Sequence, residues 1–134
     1  VSQEIKLFNV SVIENIKYNL SVSDEDVYKL INKYNIHSVY EKLENGFNTL
    51  SGVDGNHLSG GQKQIVLILR VLLKKPDIYL FDEPTSALDI NTRKIIYNML
   101  KDIDNTMVII SHDEKIKSHF ETIYRLENSI LVRE

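Results

Sequence analysis

Two short apolar runs separated by one amphipathic helix constrain this chain more than any other feature. Residues 77–81 follow Pro76, and residues 106–110 are rich in β-branched side chains; both read as strands, the first as a buried one. Between them, within residues 92–103, Ile95, Ile96, Met99, Leu100 and Ile103 fall on one helical face. Strand, helix, strand is a βαβ unit, whose strands run parallel in a sheet covered on its faces. The class is therefore α/β. Both strand ends meet on one edge of the sheet, where open α/β sheets bind their ligands.

The residues at that edge carry chemistry. The first strand ends in Asp82-Glu83 and the second in Ser111-His112. A strand-end aspartate suits Mg²⁺, which takes one or two carboxylates together with phosphate oxygens. A neighbouring glutamate can accept a proton from attacking water. An Asp-Glu pair at a strand exit is also common without any such role, and a histidine there is often only a satisfied polar residue.

A second signal lies upstream. Residues 65–73 are apolar at every position except Arg70, so the segment is buried nearly all round. Ser59-Gly60-Gly61-Gln62 in front of it fits a capping box, which makes it a helix starting at Ser59. Such a helix end, with bare N–H groups and glycines, can hold phosphate, although a plain cap explains it equally well. Elsewhere Val27, Leu30, Ile31 and Tyr34 follow helical spacing behind Ser23. Residues 38–43 and 114–120 read as short helices, residues 45–46 and 51–56 as turns, and residues 122–126 and 130–133 as a hairpin around Asn128-Ser129.

Composition removes several classes. The 134 residues carry 16 Lys+Arg against 19 Asp+Glu, a formal charge of −3, so there is no basic excess for nucleic acid. No cysteine is present, which excludes disulfides, thiolate metal sites and a cysteine nucleophile together. No apolar run reaches the roughly 18 residues of a membrane span. His37, His57 and His119 lack metal-ligand spacing with one another.

Taken together, the motifs are far more specific than apart. Leu58-Ser59-Gly60-Gly61-Gln62-Lys63-Gln64 precedes Ile78-Tyr79-Leu80-Phe81-Asp82-Glu83-Pro84, then Thr85-Ser86-Ala87-Leu88-Asp89, then Ile110-Ser111-His112. This order resembles the nucleotide-binding domain of ABC (ATP-binding cassette) proteins: signature motif, Walker B strand, D-loop and switch histidine. Val1-Ser2-Gln3-Glu4 is similar to the Q-loop. The resemblance implies a P-loop NTPase (RecA-like) parallel sheet with an inserted α-helical signature subdomain. Residues 8–75 would form the helical part and residues 76–134 the C-terminal part of the core. It also implies ATP and Mg²⁺ as cofactors, sandwiched between two head-to-tail domains. Asp82 and Gln3 would serve the metal, Glu83 would activate water, and His112 and Gln3 would sense the γ-phosphate. Ser59, Gly60, Gly61 and Gln62 would grip nucleotide held by the partner domain, with Asp89 working across the interface.

Nothing in the chain reads G-x-x-x-x-G-K-[ST], so the Walker A part is missing. With Val1 in place of Met, the chain reads as the later part of a larger domain, its sheet short of a strand and its apolar faces exposed. Residues 7–16 resemble the stretch after the Q-loop in ABC exporters, as do Asn45-Gly46-Phe47 and the glycines at 52 and 55. Val53-Asp54 and Pro84 depart from the exporter pattern, Ser129 replaces a hairpin glycine, and Lys63 and Ile65 replace basic residues. The expected function is ATP hydrolysis driving export, at the cytoplasmic face of a membrane through a transmembrane domain outside the chain. A soluble ABC ATPase acting on nucleic acid or ribosomes, and a partner that only dimerises, are the alternatives.

Overall fold

The computed structural model describes residues 6–134. The N-terminal half is helical. Helix α1 (Val12–Lys17) starts at Ser11, whose hydroxyl accepts from the Glu14 N–H. Helix α2 (Asp24–Lys33) carries a full capping box between Ser23 and Asp26. A short α3 (His37–Tyr40) and two single 3₁₀ turns, Gly46–Asn48 and Val53–Gly55, lead into the long α4 (Gly60–Lys74). The expected helix at residues 38–43 is thus shorter and begins one residue earlier.

The second half opens with β1 (Ile78–Asp82), α5 (Ile90–Lys101) and β2 (Thr106–Ile110). The two strands pair in parallel, with Leu80 opposite Val108 and Asp82 opposite Ile110. Helix α6 (Glu114–Lys117) follows, and then an antiparallel hairpin of β3 (Tyr124–Glu127) and β4 (Ile130–Arg133). Asn128 and Ser129 at its tip both take positive φ, 48° and 64°, as a two-residue turn matched to strand twist requires.

One apolar cluster joins the halves. Ile65, Val66, Ile68 and Leu69 of α4 are fully buried among Val12 and Ile16 of α1, Val27 and Ile31 of α2, and Ile96 and Met99 of α5. Tyr79 and Phe81 bring β1 into the same cluster, with Met107 and Ile109 of β2 packed against it.

The sheet corrects the reading of β1 as a buried strand and agrees with the expectation of exposed apolar faces. Strand β1 is buried on a single face: Tyr79 and Phe81 are covered, while Ile78 and Leu80 remain 58% and 63% exposed. Val108 and Ile110 stand on the same open face. Parallel strands read as continuous apolar runs because both faces are normally covered. Here the composition is that of a two-sided strand, and the covering on one side is not among the described residues.

Candidate functional site

The carboxyl edge of β1 and β2 gathers the residues expected there. Glu83 leaves the strand in a left-handed conformation, φ 47°, rare for a non-glycine residue. Its N–H still donates to the Ile110 carbonyl at 2.8 Å, which extends the parallel ladder by one bond. The reversed φ turns its side chain back across the edge. There one carboxylate oxygen accepts the backbone N–H of His112 at 3.0 Å. The His112 ring lies 3.7 Å from that oxygen and is 99% exposed, whereas the Glu83 side chain is only 13% exposed. The carboxylate is held in place; the imidazole faces out. Asp82, opposite Ile110, completes the edge and is exposed.

Among the described residues, no group of three or more His, Cys, Asp or Glu side chains could hold a metal ion. Asp82 and Glu83 supply two carboxylates at the strand end. That donor set fits Mg²⁺ when water and phosphate oxygens complete the shell, and does not amount to an all-protein cage. Gln3 lies outside the described residues.

The head of α4 forms a second group. The Ser59 hydroxyl accepts from the Gln62 N–H at 3.2 Å, and Gln62 Oε1 accepts from the Ser59 N–H at 2.8 Å. The other end of the Gln62 amide donates to the Val39 carbonyl at 2.8 Å, and its backbone carbonyl accepts from the Tyr40 hydroxyl at 2.7 Å. Gln62 is therefore engaged in fixing α4 to α3, a use its sequence position did not disclose. Gly60 faces open space, since a Cβ there would meet nothing within 4 Å. Gly61 is different: a Cβ would sit 3.0 Å from Thr92 Cγ2. Thr92 belongs to α5 and is held by Asp89, which caps that helix. Asp89 accepts from the Asn91 and Thr92 N–H groups at 3.0 Å and from the Thr92 hydroxyl at 2.6 Å. The Thr92 hydroxyl first, then the backbone N–H bonds, lowers the Asp89 carboxyl below its ordinary value. Packing thus joins Asp89 to the glycines through Thr92. No hydrogen bond among the described residues links this group to Glu83 or His112.

Three residues without an assigned part in the sequence reading connect the edge further. Asp113 accepts from the Thr85 hydroxyl at 3.1 Å, from the Tyr97 hydroxyl by a short bond, and from the Lys115 N–H at 3.0 Å. Asp113 was legible as the cap of a helix beginning at Glu114. Tyr97 gave no signal and Thr85 was read only as part of the D-loop run, because each acquires this role only from the folding of β1, α5 and β2 together.

A protein-family model described as ABC transporter matches residues 1–86, well over half of the chain. The chain belongs to the ABC transporter family. The match takes in both the α4 head and Asp82-Glu83. The mitochondrial iron-sulfur clusters transporter ATM1 of Candida albicans is 37% identical over 139 aligned positions, covering 100% of this chain and 18% of that protein. ATP-binding cassette sub-family B member 5 of Mus musculus is 41% identical over 133 positions, covering 96% of this chain and 11% of its own length. Among solved structures, a bacterial Atm1-family ABC exporter with ATP bound superposes with a TM-score of 0.85 at 34% identity, over 98% of this chain and 24% of that one. The chain therefore spans less than a fifth of these curated relatives. The exporter resemblance and the α/β ABC ATPase fold both hold. Asp89 and His112, beyond the family-model match, fall within the reach of the structural one. No helix among the described residues is long and apolar enough to cross a membrane.

Proposed function

We propose that this chain is the part of an ABC exporter's nucleotide-binding domain that runs from the Q-loop through the switch histidine, and that it hydrolyses ATP within a head-to-tail pair of such domains. The observation that carries the reading is the Glu83 carboxylate fixed by the His112 N–H at the sheet edge. In phosphoryl transfer the protein contributes mainly position and charge. Glu83, nearly buried, accepts a hydrogen bond from the attacking water and takes its proton. The exposed His112 ring donates to the γ-phosphate. Asp82, with Gln3, would hold Mg²⁺, and the ion would supply positive charge to the phosphate oxygens. The Ser59 hydroxyl and the N–H groups at Gly60 and Gly61 receive the γ-phosphate of nucleotide on the partner domain, favoured by the helix dipole. Asp89 reaches the partner across the interface. A transmembrane domain couples this cycle to export, which puts the chain at the cytoplasmic face of a membrane.

The reading is tested by grafting. The chain replaces the matching segment of the bacterial Atm1-family exporter, and ATP turnover is measured with and without Glu83→Gln. Turnover that falls at least about a hundredfold with ATP binding retained supports it. Equal turnover in the two grafts would sink it. Because no Walker A sequence is present, titration calorimetry of the chain alone should give weak or undetectable ATP binding.

A further inference from the structure

Two distant segments converge on one oxygen of Asp113. Thr85, in the loop after β1, and Tyr97, in the middle of α5, both donate to Oδ2, while Oδ1 is occupied by the Lys115 N–H at the start of α6. Thr85 is 2% exposed, so its hydroxyl is cut off from water and depends on this acceptor. The Asp113 N–H donates to the Ser111 hydroxyl at 3.0 Å, which closes the turn around His112 from the other side. The His112 peptide therefore hangs between two anchors, the Glu83 carboxylate and Asp113.

The same helix holds the D-loop. Arg93, one turn before Tyr97 on α5, donates Nη2 to the Leu88 carbonyl at 3.1 Å, next to Asp89. Its Nε is buried with no hydrogen-bond partner among the described residues. Burial alone would raise the Asp113 carboxyl. Hydrogen bonds from Tyr97, the Lys115 N–H and Thr85, with the Arg93 charge, outweigh it and keep the group ionised below its ordinary value.

We propose that Asp113 is a positioning residue which, with Thr85 and Tyr97, makes the His112 turn and the loop of residues 84–89 one unit carried on α5. On the proposed function, which this rests on, a displacement of His112 by phosphate is passed to Asp89 at the partner interface through α5, and the reverse. Without the link, His112 and the D-loop would answer to their ligands separately.

The bland alternative is that Asp113 only caps α6. Tyr97→Phe and Thr85→Val separate the two, because each removes a hydroxyl while leaving the Lys115 N–H on Oδ1. Amide hydrogen exchange is read by NMR on the full chain without nucleotide, so the result does not depend on whether the chain hydrolyses ATP. In either variant the His112 and Ser86 amides should exchange about tenfold faster, with the Lys115 amide unchanged. The imidazole resonances of His112 should shift with them. Thr85→Ser, which restores the hydroxyl, should return both to the original values. Unchanged exchange at His112 and Ser86 in a folded Tyr97→Phe or Thr85→Val variant overturns the proposal, as does failure of Thr85→Ser to restore them. If instead the Glu83→Gln graft keeps full turnover while these amides respond, the linkage stands as a structural one and its catalytic purpose falls.

Discussion

Gly60 and Gly61 stand side by side at the head of α4 and are glycine for different reasons. Nothing lies within 4 Å of a Cβ at Gly60, so Gly60→Ala should leave stability unchanged or raise it by up to about 1 kcal/mol through helix propensity. A Cβ at Gly61 meets Thr92 Cγ2 at 3.0 Å, and Thr92 cannot turn away because its hydroxyl is bound to Asp89 at 2.6 Å. Gly61→Ala should therefore cost about 1–3 kcal/mol as an overpacked contact, despite the better propensity. Urea denaturation of the pair reads the difference directly, and equal midpoints would refute it. Tyr97 gives a second prediction at this scale. Burial, then the bond to Asp113, pushes its hydroxyl up to about 12, and burial raises Tyr40 also. A folded value above the ordinary 10 means stability that is whole below pH 10 and is lost as pH rises towards 12. Tyr97→Phe should flatten part of that alkaline loss in thermal melts, and an unchanged slope between pH 10 and 12 would contradict the assignment.

Elements in the helical half are joined by one polar centre inside an apolar cluster. The Asn15 amide accepts from the Phe8 N–H at 2.9 Å and donates to the Phe8 carbonyl at 2.9 Å and the Ser51 hydroxyl at 3.1 Å. Its backbone carbonyl takes both Nε and Nη2 of Arg70, at 2.9 and 2.6 Å. The segment at Phe8, the loop at Ser51, α1 and α4 are thus held by a single side chain and its peptide. Asn15→Ala removes the amide partners of Phe8 and Ser51 at once and should cost about 3 kcal/mol or more, since stranded buried polar groups carry their full desolvation penalty. Calorimetry measures the loss. A drop no larger than an ordinary surface alanine would show that water replaces the amide. Arg70, the one charge in the apolar stretch of α4, interrupts the sequence pattern for this reason. By contrast the starts of α2 and α4 were legible in the chain, because Ser23 and Ser59 act within three residues of themselves; the Asp89 cap of α5 acts over the same range but was read only as part of the D-loop.

At the scale of the whole molecule, the accessible surface is 8599 Å², where a compact protein of 15.5 kDa presents about 7,200 Å². Much of the surplus is apolar and lies on the open sheet face and the hairpin, where Ile78, Val108, Ile110, Leu126, Ile130 and Leu131 are each more than half exposed. Exposed apolar side chains of this kind favour association. The chain should self-associate with rising concentration, and Ile78→Lys with Val108→Lys should shift light scattering towards monomer; scattering unchanged by both would mean the face is not what associates. The α/β class, the order of strand, helix and strand, the starts of α2 and α4, and the side chains at the strand ends were readable along the chain. Those follow from periodicities of two and 3.6 residues and from short-range hydrogen bonding, which neighbours in the chain decide. Only the folded chain shows that Gly61 is required by Thr92 and that Asp113, Thr85 and Tyr97 meet on one oxygen. Each of these depends on contacts between residues 16 to 31 positions apart, whose partners no local pattern specifies.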